Sequence, residues 1–159
     1  MKEKETELLK TAMMAAIYTV LCILLQPISF GPLQFRLSEI LCLLCIDHKW
    51  ALWGAILGCF LSNTFFGGLG VIDIVFGTLA TAVGCILAYQ LRHIRFKGYP
   101  ILSAMMIVLA NAIIIGIELG FILNTKDLIG LYMLQVGTGE FAVLALGMLF
   151  YKHLTKLIR

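Results

Sequence analysis

Five charged residues lie in or beside stretches that otherwise read as lipid-soluble, namely Arg36, Glu39, Asp73, Glu118 and Glu140. A charge at the centre of a bilayer costs from about 3 to more than 10 kcal/mol, so such side chains face the interior of a helix bundle. Four carboxylates against one guanidinium would give a pocket with surplus negative charge. Such a pocket suits a cation, or a ring with several N–H donors, because an ionised carboxylate accepts two such bonds side by side.

The composition places the chain among integral membrane proteins. Of its 159 residues, 61% are hydrophobic and only 13% are charged, and the mean hydropathy is +1.00. A soluble domain of this length exposes far more charge, so we predict a single transmembrane domain over residues 1–159. The same composition excludes a soluble nucleic-acid-binding protein, and we predict no nucleic-acid partner.

Six apolar runs predict an all-α bundle of six transmembrane helices. A helix that crosses the bilayer needs about 17–25 residues. The second run is too short alone, and it spans only if its helix begins near Pro32 and carries Gln34 and Arg36 inward. The predicted helices cover residues 8–26, 33–46, 50–66, 71–91, 101–123 and 128–151.

The basic residues predict the orientation. With six crossings both termini lie on one side of the membrane, and of the 12 Lys and Arg residues only Arg36 and Lys126 then fall on the other side. Five crossings would scatter them. By the positive-inside rule, both termini are therefore predicted to be cytoplasmic.

Two pairs of glycines predict close helix packing. Gly54 and Gly58, and likewise Gly116 and Gly120, are spaced four residues apart within apolar runs. Small residues at this spacing let two helix backbones approach each other.

The polar residues converge in the predicted outer half of the bundle, as judged from a rise of about 1.5 Å per helical residue. A through-channel would continue its polar lining to both faces, so we expect a binding pocket that opens outward. The candidate substrate-binding residues are Gln34, Arg36, Glu39, Asn63, Asp73, Asn111, Glu118 and Glu140.

Structural roles compete with binding for several of these residues. Arg36 and Glu39 are three residues apart on one predicted helix face, which is close enough for an ion pair. Asp73 fits a helix N-cap at the membrane surface, and Asn111 fits a helix–helix hydrogen bond. Glu118 and the other two glutamates have fewer structural explanations.

Sequence motifs for catalysis and metal binding are absent or weak. Cys42 and Cys45 form a C-x-x-C pair, but in an apolar helix with no second pair we interpret them as packing residues. The three histidines lack ligand spacing, and no P-loop or hydrolase motif is present. We therefore predict no catalytic residues, no metal site and no cofactor, and a protein that is not an enzyme.

The segment Ile28–Glu39, with the sequence ISFGPLQFRLSE, joins a polar loop directly to a short helix. It closely resembles the signature of the queuosine-precursor transporter family (QueT), whose members are substrate-binding S components of energy-coupling factor (ECF) transporters. The chain length, the six helices and the cytoplasmic termini are also similar, so the resemblance extends over essentially the whole chain. It implies a six-helix bundle of the ECF S-component type.

The resemblance implies capture of a 7-deazaguanine such as 7-aminomethyl-7-deazaguanine or its nitrile relative. One carboxylate would accept the guanine-like N–H pair and another would pair with the protonated aminomethyl group, and we assign Glu39 and Glu140 to these two roles in either order. The remaining ring edges would be bound by Gln34, Arg36, Asn63, Asn111 and Glu118.

The resemblance also implies partners. S components carry small residues on the first helix that pack against a transmembrane coupling protein, and Ala12 and Ala16 match that pattern on one face. Two partner ATPase subunits would drive the cycle, in the plasma membrane of a bacterium.

Two other functions remain open. A stand-alone secondary transporter would use Glu118 or Glu140 as a proton-coupling carboxylate for a small cationic or purine-like solute. The absence of an obvious inverted repeat counts against it. A membrane scaffold without transport would leave the buried charges unexplained.

Overall fold

The computed structural model describes residues 2–26, 35–67 and 69–157. Within these ranges the main elements of secondary structure are helices, and each of the six predicted helical regions contains one. They are α1 (Lys2–Leu24), a 3₁₀ helix (Leu37–Ile46), α2 (Lys49–Phe66), α3 (Val71–Gln90), α4 (Ile101–Ile122), a short 3₁₀ turn (Lys126–Leu128) and α5 (Ile129–Leu157).

Four of the helices in the described part of the chain are long and apolar enough to cross a membrane: α1, α3, α4 and α5. The chain is thus a multi-pass membrane protein with an all-helical fold. Helix α2 has 18 residues and the 3₁₀ helix has ten, and neither is among the four. Six crossings therefore remain a prediction.

The 3₁₀ helix lies at the centre of the bundle. It contacts all five α-helices, which themselves pack in chain order, each against the next. Its buried side includes Cys42 and Cys45, which are free thiols in the core, as the packing interpretation predicted. The polar residues of this helix are consequently held among the α-helices.

The prediction of a helix over residues 33–46 was wrong in its start and its type. Phe35 and Arg36 are not helical, and Arg36 has an extended backbone with φ −91° and ψ 95°. A 3₁₀ helix rises about 2.0 Å per residue against 1.5 Å for an α-helix, so its residues extend about 20 Å. That length is short of the roughly 30 Å hydrocarbon core. Pro32 and Gln34 lie outside the described residues.

Both glycine pairs lie at close helix contacts, which confirms the packing prediction. A Cβ added at Gly58 would lie 2.7 Å from the Cβ of Tyr18, at the contact between α1 and α2. A Cβ added at Gly116 would lie 2.8 Å from the backbone nitrogen of Met133, at the contact between α4 and α5. Any side chain larger than hydrogen would push these helices apart.

Basic residues from several helices gather at one end of the bundle, where they contact aromatic rings. Lys152 Nζ lies 4.4 Å from the ring centroid of Tyr99, and Arg95 forms an ion pair with Asp47. The other members of this basic end are Lys10 over Trp50, and Lys49 and Arg92 over Tyr89. The arrangement agrees with the predicted clustering of positive charge on one side of the membrane.

Candidate functional site

A buried guanidinium joins the 3₁₀ helix to α2 and α3. Arg36 is 4% exposed, with Nη2 4.0 Å from Oδ1 of Asp73 and Nη1 3.9 Å from Sγ of Cys59. The predicted ion pair with Glu39 assumed that Arg36 lies on the helix face. Because Arg36 precedes the helix in an extended conformation, its side chain reaches α3 instead.

Asp73 lies inside the first turn of α3, and Gly70 is the N-cap, without a side-chain capping bond. The N-cap interpretation of Asp73 was therefore wrong. A carboxylate in the first turn is still favoured by the helix dipole. Only 2% of Asp73 is exposed, so its charge faces Arg36 and not the surrounding solvent.

Asn63 links α2 to α3 beside this ion pair. Its Nδ2 donates to the backbone oxygen of Asp73 at 3.2 Å and lies 3.6 Å from Sγ of Cys59. Its Oδ1 has no hydrogen-bond partner among the described residues. Asn63 thus retains an unused acceptor in a buried polar region.

Glu39 is bound on both carboxylate oxygens by the chain itself. The hydroxyl of Tyr18 donates to Oε1, and the thiol of Cys42 donates to Oε2 at 3.0 Å. The carboxylate is only 1% exposed. These two donors hold Glu39 in one orientation, while each oxygen keeps capacity for a further hydrogen bond.

Glu118 and Glu140 are buried carboxylates with unused acceptors. They are 2% and 3% exposed, and both oxygens of Glu118 and Oε1 of Glu140 lack a hydrogen-bond partner within the described ranges. The positive charge of Arg36 interacts electrostatically with both carboxylates. Asp73 also lies within electrostatic range of Glu118, and Glu39 lies within electrostatic range of Glu140. The two glutamates, one on α4 and one on α5, therefore lie within electrostatic range of Arg36.

Glu118 also borders a cavity of about 370 Å³ at the contact of α3 with α4. Its other lining residues are apolar: Ile72, Phe76, Ile117, Phe121 and Ile122. A carboxylate without a partner at the wall of such a cavity is costly to bury unless a ligand or a proton compensates it.

Asn111 is separate from these contacts. It is 6% exposed, and its Nδ2 donates to the carbonyl of Ile107 in its own helix at 3.2 Å. The structure thus gives it a local hydrogen bond, and its role in binding stays a prediction. Gln34 lies outside the described residues.

Three further buried residues lie beside these polar side chains, and the sequence did not identify them as candidates: Tyr18, Cys59 and Thr81. Tyr18 is fully buried beside Glu39, and Thr81 Oγ1 donates to Sγ of Cys59 at 3.2 Å. The one available signal was a tyrosine in the middle of an apolar run, since membrane tyrosines usually lie at the interfaces. Cysteine and threonine in apolar helices carry no such signal.

Ala12 and Ala16 lie on the outer surface of α1. Both are exposed, together with Met13, whereas Met14 and Ala15 pack into the core. The small-residue face is therefore free to meet another surface.

Comparison with known proteins gives the family. The sequence profile of the QueT transporter family matches residues 8–156. The chain is 29% identical over 168 aligned positions to the queuosine precursor transporter QueT of Lactococcus lactis subsp. cremoris strain MG1363, and the alignment covers 98% of this chain and 95% of the relative. No solved structure matches the chain significantly. This chain is a multi-pass helical bundle with buried carboxylates, and the family profile matches it over nearly its whole length. The chain therefore belongs to the QueT transporter family.

Proposed function

We propose that this chain is the substrate-capture (S) subunit of an ECF-type importer and binds a queuosine precursor, a 7-deazaguanine such as 7-aminomethyl-7-deazaguanine. The observation that carries the proposal is the pair of buried carboxylates, Glu118 and Glu140, because both oxygens of Glu118 and Oε1 of Glu140 have no partner among the described residues. The lactococcal relative is named as a transporter of a queuosine precursor, which supports the same substrate class for this chain.

The chemistry of the ligand matches that of the carboxylates. A 7-deazaguanine offers two adjacent N–H donors, which one ionised carboxylate accepts side by side. The aminomethyl group adds a positive charge that a second carboxylate would neutralise. Oε1 of Glu140 is available for one of these roles, because it is buried and has no partner among the described residues. Glu39 serves the other with its remaining lone pairs.

The other predicted residues would contact the rest of the ligand. Arg36 offsets the negative charge of the acids around it, and Asn63 offers its Oδ1, which has no partner among the described residues. Glu118 completes the site from α4. We assign the remaining ligand edges to Gln34, Asp73 and Asn111 as well.

We further propose that both termini face the cytoplasm and that the bundle crosses the plasma membrane six times. The gathering of basic residues at one end supports this orientation through the positive-inside rule. The carboxylates around Arg36 lie toward the other end, since Asp73 begins α3 and Arg92 follows it. The pocket would then be loaded from outside.

The outer face of α1 is the proposed docking surface for the coupling protein. Ala12 and Ala16 are exposed on it, and small residues allow a partner helix to approach closely. Two ATPase subunits bound to that coupling protein would supply the energy. The exposed Met13 beside them offers an adaptable apolar contact.

The test is calorimetric binding of 7-aminomethyl-7-deazaguanine to the purified chain in detergent, with guanine and an unrelated vitamin as controls. We expect selective binding of the deazaguanine by the isolated chain. A folded chain without such binding would overturn the substrate assignment.

Co-purification separates the two transport mechanisms. An S subunit should bring down a coupling protein and ATPase subunits from the bacterial membrane, and Ala12→Leu with Ala16→Leu should abolish this without affecting ligand binding. Proton-coupled uptake by the chain alone in vesicles would instead identify a secondary transporter.

A further inference from the structure

A second cavity, of about 500 Å³, lies between α4 and α5, and it shares no residue with the site around Arg36. Its α4 side includes Ile101 and Met105, and its α5 side includes Phe141 and Ala145. The side chains along it are apolar apart from the hydroxyl of Tyr99, which lies at one end. In a membrane helix bundle, an open apolar groove of this kind faces lipid.

The Tyr99 end of the groove is basic. Lys152 Nζ lies 4.4 Å from the ring centroid of Tyr99 and 4.0 Å from the position of a Cβ at Gly98. Lys97 is exposed in the same loop. In the described part of the chain, neither lysine lies within ion-pair distance of a carboxylate, whereas nearby Arg95 is paired with Asp47.

The groove therefore has an apolar body and a positively charged mouth. Its lining residues span 101–108 of α4 and 141–149 of α5, which corresponds to a depth of about 10–12 Å along the helix axes. This depth reaches from the interface into the hydrocarbon region. Basic pockets between transmembrane helices are known to hold anionic lipid headgroups.

We propose that this groove binds one anionic phospholipid from the leaflet at the basic end of the bundle. An acyl chain lies between α4 and α5, and the phosphate is held by Lys97 and Lys152. Charge selects this occupant, because a neutral lipid or an apolar partner helix would leave both lysines without a counter-ion. The site does not depend on the identity of the transported substrate.

Native mass spectrometry of the purified chain, mixed with equal amounts of phosphatidylglycerol and phosphatidylcholine, tests the charge selection. Each lysine near the surface contributes about 1 kcal/mol to binding an anionic lipid, so two should favour phosphatidylglycerol by about 30-fold. We expect the double variant Lys97→Gln, Lys152→Gln to lose this preference. Lys126→Gln, at the opposite end, should keep it. Equal preference in the double variant and the wild type would overturn the proposal.

A photo-crosslinking residue at Leu149 identifies the occupant directly. Leu149 borders the groove and is 73% exposed, so the replacement should not disturb folding. Irradiation in bacterial membranes should give a phospholipid adduct that disappears when Ala145→Phe fills the groove. Leu146→Phe is the matched control, because Leu146 is exposed on the same helix but does not line the groove. An adduct on another protein, or a lipid adduct unaffected by Ala145→Phe, would refute the site.

Discussion

The hydroxyl of Tyr18 donates a hydrogen bond to Oε1 of Glu39, which ties α1 to the 3₁₀ helix at the centre of the bundle. Both side chains are buried, at 0% and 1% exposure, and the thiol of Cys42 binds the second oxygen of Glu39. The outer helix with the proposed docking face is thus connected directly to a carboxylate of the proposed substrate site. Neither residue is close to the other in sequence, so the contact exists only in the folded bundle.

Tyr18→Phe should destabilise the chain. Loss of the hydroxyl leaves a buried carboxylate with one donor fewer, and we expect the free energy of unfolding to fall by about 1–3 kcal/mol. Denaturant unfolding in a fixed detergent measures this. The matched control is Tyr132→Phe, whose hydroxyl makes a half-buried hydrogen bond to Thr125. An equal decrease in the free energy of unfolding in the two variants would show that the hydrogen bond to Glu39 stabilises the chain no more than the one between Tyr132 and Thr125.

Arg36→Gln should be more harmful to stability than Asp73→Asn. Among the described buried side chains, Arg36 is the only one that carries a positive charge, and several carboxylates lie around it. Removal of Arg36 leaves those acids uncompensated, at a cost of about 3–5 kcal/mol. After Asp73→Asn, Arg36 still has Glu118 and Glu140 within electrostatic range.

Unfolding of both single variants and the double variant measures this asymmetry. If Asp73→Asn proved as costly as Arg36→Gln, the ion pair between them would be isolated from the other acids. A double variant more stable than Arg36→Gln alone would show that Asp73 depends on Arg36 as its counter-ion.

The long helices were predictable because each is a uniform apolar run with polar ends. The predicted range 71–91 became Val71–Gln90, and 101–123 became Ile101–Ile122. Helix α1 begins at Lys2 and not at residue 8, because hydropathy detects only the lipid-embedded part of a helix that continues into a polar lead-in. The central helix was the exception. A mostly apolar run of ten residues carries no signal that separates a 3₁₀ from an α-helix, and packing against five neighbours decides its form.

The candidate site was predictable in its charges but not in its pairing. Arg36, Glu39, Asp73, Glu118 and Glu140 are all buried, as their position in apolar runs indicated. The pairing of Arg36 with Asp73 depends on the extended backbone of Arg36 and on the contact of its guanidinium with Cys59. Neither can be read from residue spacing, because both arise from tertiary packing.

Gly58→Ala should separate α1 from α2. The new Cβ would lie 2.7 Å from the Cβ of Tyr18, and overpacking of this kind costs about 1–3 kcal/mol. Gly130→Ala is the matched control, because a Cβ there meets nothing within 4 Å. Alanine also favours a helix over glycine, so Gly130→Ala should be neutral or stabilising. Thermal unfolding of both variants measures the difference, and an unchanged melting temperature for Gly58→Ala would show that α1 is free to shift.

Glu140→Gln should weaken ligand binding without loss of stability. Oε1 of Glu140 has no partner among the described residues, so a neutral amide there removes no structural hydrogen bond. A hydrogen bond to a charged group contributes about 1.5–3 kcal/mol, which corresponds to a roughly 10- to 150-fold loss of affinity for 7-aminomethyl-7-deazaguanine by calorimetry. Asp127→Asn, which removes an exposed acid, should leave the affinity unchanged.

The nitrile relative of the ligand then assigns the role of Glu140, because it keeps the guanine-like N–H pair and lacks the positive charge. If Glu140 pairs with the ammonium group, Glu140→Gln should bind the nitrile as tightly as the wild type does. If Glu140 accepts the N–H pair, affinity for both ligands should fall together. The variant Glu39→Gln should show the opposite pattern, with an added loss of stability because Tyr18 and Cys42 both donate to that carboxylate. Unchanged affinity for both ligands in both variants would remove these two carboxylates from the site.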